Sequence, residues 1–230
     1  MSNLPEMKKS TQPQLFSWTT TRVGAVELFP AVWSAAEAIT SPEVEIRLDG
    51  LTRLTELNAV YLSPLVAYLV ATRLVDPDLT VRARVIQMLG DFLRPQLIDQ
   101  DVPEEVYLHV SAYLSQIRGR QVLFILQAYE YDRKIERQVV ATLKECSQAG
   151  EYLAAILSDR QAPLEIRKLA AYLIGEIGYL DAIASLEKLI SRLEARAEGQ
   201  QWLPFYLREE SEDYQLLPDV RKTLTILQSP

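Results

Sequence analysis

Catalysis by side chains needs a base, a nucleophile or a metal, and this chain of 230 residues offers little of each. It holds one histidine, His109, and one cysteine, Cys146. A single histidine supplies no His pair for a metal, and any Ser-His-Asp or Cys-His arrangement would have to be built on His109 alone. Cys146 has no second cysteine for a disulfide. No glycine-rich phosphate loop occurs; "GEIG" places two helical residues between two glycines. The expectation is an absence of catalytic, cofactor-binding and metal-binding residues. His109 falls beside the apolar face of its helix and reads as structural. Cys146 falls on such a face and reads as a small buried hydrophobe.

The chemistry that remains is recognition. Four carboxylates, Glu56, Asp91, Glu145 and Glu176, recur at one position of a helical pattern, opposite its apolar side. Stacked side by side, such helices would form an acidic row suited to a basic peptide or a Lys/Arg-rich protein surface; a plain solvated face is the alternative. Acidic residues near helix C-termini oppose the helix dipole, which favours a functional cause. A second cluster, Trp202, Phe205 and Tyr206, precedes the acidic run Glu209, Glu210, Glu212 and Asp213. These aromatics either fold back over an open C-terminal end or meet a partner.

The pattern that positions these residues is a repeat. Counting from Ile166, apolar residues fall at zero, +4, +5, +8 and +11: Ile166, Ala170, Ala171, Ile174 and Ile177. At 100° per residue this is one buried helix face. The template also fits Val81, Val85, Ile86, Leu89 and Phe92; Ile46, Gly50, Leu51, Leu54 and Leu57; and Ile135, Val139, Val140, Leu143 and Cys146. A looser copy runs Val106, Val110, Ser111, Leu114 and Ile117, and a truncated one starts at Val220 with Leu224. The starts are 35, 25, 29, 31 and 54 residues apart, intervals that mostly suit a two-helix unit.

Two further markers support the repeat. Position +1 is Arg47, Arg82, Arg167 and Arg221 in four copies. Proline lies just upstream in five, at Pro42, Pro77, Pro103, Pro163 and Pro218, where it ends one helix and is preset to begin the next. Gly90 and Gly175 share position +9 and are expected to let a neighbouring helix approach closely. Between the copies lie apolar partner helices: Ser63–Val75, Arg120–Glu130, Glu151–Ser158 and Asp181–Ala195, with Val26–Ile39 ahead of the first and bent at Pro30. The expected fold is all-α, an α-solenoid of about five to six helical hairpins. Residues 1–22 are expected to be a flexible tail, residues 23–230 one domain, and residues 196–217 an insertion before the last helix.

On these residues the chain resembles HEAT-repeat proteins. "DPDLTVRARVIQMLGDF" and "APLEIRKLAAYLIGEIG" are similar to the short subclass named after phycobilisome lyases, and the resemblance extends over roughly Val26 to Gln228. Repeats of that family favour an aspartate in the turn and an arginine six residues later, so the resemblance implies that Asp76 and Arg82 interact. The other copies carry Ser41, Gln161 and Gln215 at the aspartate position. The resemblance implies a non-catalytic scaffold or adaptor that binds a protein. Its alternatives are a bilin lyase-like chromophore maturation factor and, remotely, a HEAT-like DNA glycosylase. Several His-Glu pairs would be needed for a HEAT-type hydroxylase, and one histidine excludes it.

Composition narrows the partner. Net charge is −7, with 31 acidic against 24 basic residues, which argues against nucleic acid or an anionic membrane as the main ligand. No apolar run is long enough to span a bilayer, and the first twenty residues lack the apolar stretch of a secretory signal. A cytoplasmic protein with a protein partner, and with no cofactor, is therefore expected.

Overall fold

The structure, a computed structural model, describes residues 25–94, 102–200 and 213–229, with side chains described up to residue 195 in the second segment. Among these residues every regular element is a helix. The tail at residues 1–22 lies outside them, as do Trp202, Phe205, Tyr206, Glu209, Glu210 and Glu212. Among the described residues no helix is long and apolar enough to cross a membrane.

Twelve α-helices follow among the described residues: α1 (Pro30–Ala38), α2 (Val44–Glu56), α3 (Ala59–Leu62), α4 (Pro64–Ala71), α5 (Leu79–Phe92), α6 (Glu104–Ser115), α7 (Gly119–Tyr131), α8 (Glu136–Glu145), α9 (Ala149–Ser158), α10 (Leu164–Ile177), α11 (Ile183–Gln200) and α12 (Leu217–Gln228). Their ends follow local chemistry. Ser63 caps α4 by accepting from the Val66 N–H at 3.1 Å, with Pro64 in the first turn. Asp78 caps α5 by accepting from the Thr80 and Val81 amides at 2.8 and 3.1 Å. Gly178, at φ 72°, ends α10 in the left-handed conformation that glycine adopts without a Cβ clash. Pro30 does not bend a helix as expected. It starts α1, and the residues before it form the 3-10 turn Ala25–Leu28.

The helices that carry the template touch one another in the order α2, α5, α8, α10, α12. Their partners α1, α7, α9 and α11 pack beside them, and α4 joins through its 3-10 extension Thr72–Val75. The apolar template is the core: Val81, Val85, Ile86, Leu89 and Phe92 are fully buried, as are Ala170, Ala171 and Ile174. Ile46 on α2, the first helix of the order, and Leu57 just past its end depart from it and are exposed. The loose copy departs in a different way. Its face is buried through Val106, Val110 and Leu114, but α5 touches α8 directly. Helix α6 instead packs mainly on α4, and the Tyr107 ring stacks near Phe92 at 6.3 Å between centroids.

Gly90 meets the expectation of close approach: a Cβ there would lie 2.3 Å from Gln138 Cβ and 2.4 Å from its Cα. Gly175 does not. The atoms nearest to a Cβ there are 3.6 Å away, on Thr223 and Ile226, so ordinary contact distance is already available.

Position +1 explains how adjacent helix pairs are tied. Arg47, Arg82 and Arg167 are buried, at 6, 6 and 4 % exposure. Arg47 Nη1 donates to the Ser41 and Pro42 carbonyls of its own turn, and Nη2 donates to Asp76 of the next turn at 2.9 Å. The expected Asp76–Arg82 bond is therefore absent, because Asp76 is engaged by Arg47 and by the Asp78 N–H. Arg82 turns forward instead, and its Nη1 donates to Gln127 Oε1 at 2.8 Å. Arg167 repeats the forward reach: Nη1 bonds Asp213, and Nε donates to the Leu157 carbonyl at 3.0 Å. Each of these guanidiniums bonds one unit ahead.

Candidate functional site

Across the cross-link position of α8 the chemistry is inverted. Glu136 stands where the copies on α5 and α10 have arginine. Its carboxylate accepts from the Tyr129 hydroxyl of α7 at 2.6 Å and from the Tyr172 hydroxyl of α10 at 2.8 Å. The Tyr129 and Tyr172 hydrogen bonds hold the carboxyl below the usual carboxylate range. Burial and the facing carboxylate push Tyr129 up to about 12, and burial raises Tyr172 as well. Three helices are joined at this one side chain. The missing arginine in the copy that begins at Ile135 is the sequence signal that marks it.

The four acidic candidates divide into two pairs. Glu56 and Glu176 are exposed. Asp91 is half-buried and accepts from Gln138 Nε2 at 2.9 Å, so it links α5 to α8. Glu145 is half-buried and accepts from Tyr107 Oη at 3.1 Å and Ser111 Oγ at 2.5 Å, so it links α8 to α6. The position does recur on neighbouring helices, but its two central members are occupied by internal hydrogen bonds. Asp213, the last residue of the acidic run, is the acceptor of Arg167 and lies 3.6 Å from Arg160.

His109 and Cys146 are far from equivalent. Cys146 is buried as expected, its thiol pushed up by burial, with Sγ 3.6 Å from the Ile117 carbonyl. His109 is exposed, and its Nδ1 lies 2.7 Å from the Glu105 carbonyl one turn back. Among the described residues no three or more of His, Cys, Asp and Glu gather as a metal site.

His109 stands on the rim of an open cleft of about 410 Å³ between α4, α6 and the start of α7. Tyr68, Ala112, Tyr113, Gln116 and Gln121 share its lining. The rings of Tyr68 and Tyr113 meet edge to face with centroids 5.4 Å apart. Burial raises the Tyr113 phenol, while the Arg73 guanidinium nearby pulls it the other way. Tyr68 remains 48 % exposed, and Leu65 stands one turn before it on α4. On α6, Leu108 is 57 % exposed, one turn before Ala112. This is an amphipathic surface: aromatic and aliphatic groups for burial, and amides and an imidazole for orientation. The template reads only one side of each helix, so it passed over the outward faces of α4 and α6.

In comparison with known proteins, no family model matches the chain, and no curated protein or solved structure matches it.

Proposed function

We propose that this chain is a HEAT-like α-solenoid that binds a protein partner and catalyses no reaction of its own. The observation that carries the reading is the open cleft between α4 and α6, lined by Tyr68 and Tyr113, with Leu65 and Leu108 exposed on the same two helices. Large apolar side chains grouped on rigid helices favour association, because burying them releases water while little backbone order is lost. The order of contacts from α2 to α12, each pair tied forward to the next, supports the solenoid. A net charge of −7 supports a protein over a nucleic acid. With Asp91 and Glu145 occupied, the docking face is assigned to α4 and α6 rather than to the acidic row.

Capture from the native source, read by mass spectrometry, tests this with the parent chain and Leu108→Asp as baits. Leu108 is exposed, so the substitution leaves melting nearly unchanged. The expected result is a protein recovered by the parent and lost by the variant. Identical recovery by both, or recovery no different from an unrelated helical bait, would refute the reading.

A further inference from the structure

Beside the cleft, one cross-link lacks its carboxylate. Arg47 and Arg167 are each bonded to an aspartate, Asp76 and Asp213. Arg82 is as deeply buried, yet it is bonded only to neutral acceptors, Gln127 Oε1 at 2.8 Å and the Phe124 carbonyl at 3.5 Å, both through Nη1. Its Nε is sealed from solvent without an acceptor, as is that of Arg47. Nη2, the atom that takes Asp76 in the Arg47 cross-link, also has no acceptor here, but it is not sealed off. The idle donor that solvent reaches is therefore Nη2, a charged N–H suited to a carboxylate oxygen.

The surroundings extend that charge outward. The Phe124 ring carries Arg82 at 4.7 Å from its centroid and the exposed Arg120 at 5.3 Å. No carboxylate among the described residues bonds Arg120. The guanidinium of Arg73, on the 3-10 turn that packs against α7, hydrogen-bonds only the hydroxyl of Thr72, at 3.4 Å. Asp76 and Asp78 attract Arg82 from beyond bonding distance, but Asp76 is neutralised by Arg47 and Asp78 is committed to capping α5. Two guanidiniums without a bonded carboxylate thus share one ring on a chain that is acidic overall. Arg120 immediately precedes Gln121 of the cleft, and Phe124 follows it by one turn.

The geometry points to a carboxylate-recognition notch at Arg82 and Arg120, which takes an acidic side chain from the protein segment that docks in the cleft. This inference rests on the protein-binding reading and names the chemistry of the partner: an Asp- or Glu-bearing segment with apolar neighbours. The external carboxylate completes on Nη2 the bond that Asp76 makes to Arg47. Arg120, over the same ring, draws it in and holds it. A carboxylate is favoured over a phosphoryl group because a carboxylate is what Asp76 and Asp213 supply to the equivalent arginines Arg47 and Arg167.

The test measures fluorescence anisotropy of a fluorescein-labelled Glu- and Leu-containing peptide, and of the same peptide with Gln in place of Glu. The Glu peptide is expected to bind at least tenfold more tightly, and its binding is expected to fall as salt rises. Arg120→Ala removes an exposed side chain, leaves folding intact and is expected to weaken binding severalfold. Gln127→Glu supplies the missing carboxylate from within the chain, so it is expected to raise the melting temperature and to weaken the Glu peptide at least tenfold. Equal binding of the two peptides, or unchanged binding in both variants, would overturn the notch. Displacement by inorganic phosphate more readily than by acetate at matched ionic strength would overturn the carboxylate preference. Capture of a native partner that Leu108→Asp loses and Gln127→Glu keeps would overturn the notch alone and leave the docking reading standing.

Discussion

Adding one methyl group at Gly90 and one at Gly175 should move stability in opposite directions, although the two glycines share a template position. At Gly90 the new Cβ would sit 2.3 Å from Gln138 Cβ and 2.4 Å from its Cα. Ordinary carbon contacts are about 3.5–4 Å, so α5 and α8 must separate by about 1 Å or more. The obstacle includes backbone, which no rotamer change can remove. Overpacking of this kind costs about 1–3 kcal/mol, and displacing Gln138 also strains its 2.9 Å bond to Asp91. Alanine returns up to about 1 kcal/mol of helix propensity, which leaves a net loss of about 1–2 kcal/mol. For a chain of this size that lowers Tm by about 2–8 °C. At Gly175 the nearest atoms would be 3.6 Å away, so only the propensity gain remains, about 0.5–1 kcal/mol. Thermal and urea melts followed by far-UV circular dichroism read both variants. If Gly90→Ala melts at or above the parent, or Gly175→Ala melts well below it, helix spacing has been misjudged.

Three other outcomes follow from the same geometry. Asp76→Ala strands Arg47 as a buried cation and should cost about 3–5 kcal/mol, whereas Arg47→Met with Asp76→Leu should cost much less, as denaturant melts of the two will show. The carboxyl of Glu136 is lowered in the folded state, so its contribution is present above the unfolded pKa and is lost as pH falls through the folded one. Tyr129 is raised to about 12, so its contribution is present below about 10 and is lost as pH climbs toward about 12. Melts across pH should therefore show Glu136→Gln flattening the acid limb and Tyr129→Phe flattening the alkaline one. Charge reversal at the exposed pair, Glu56→Lys with Glu176→Lys, should shift stability by less than about 0.5 kcal/mol per site and leave partner capture intact, since both positions lie off the assigned docking face.

Periodicity was the most legible level of this sequence. The apolar template marked the buried faces of α5, α8 and α10 because burial on one side of a helix imposes a 3.6-residue spacing on the chain itself. It misplaced α6, the looser copy, because periodicity says that a face is buried and not what covers it. The direction of the arginine bonds was also hidden. Arg82 and Asp76 are six residues apart in the chain, yet the shorter spatial route from Asp76 runs to Arg47, from the preceding pair. The acidic position recurs as expected on α2, α5, α8 and α10. Its accessibility depends on Gln138, Tyr107 and Ser111, residues on other helices with no counterpart in the repeat. The cleft was least legible, since it forms where α6 departs from the pattern.

The forward reach of the arginines gives the molecule a polarity that bears on how it can be shortened. A cut after α10 removes Asp213 and leaves Arg167 bonded only to the Leu157 carbonyl, so the fragment carries a guanidinium that cannot shed its charge and has no carboxylate at its new end. A cut before α3 removes Arg47 and leaves Asp76, which keeps the Asp78 N–H as a donor and sits where water can reach the uncovered turn. Loss of the leading helices is therefore the gentler operation. Stable fragments should share a common C-terminus and differ at their N-termini. Limited proteolysis should trim the chain from the front before it releases α12.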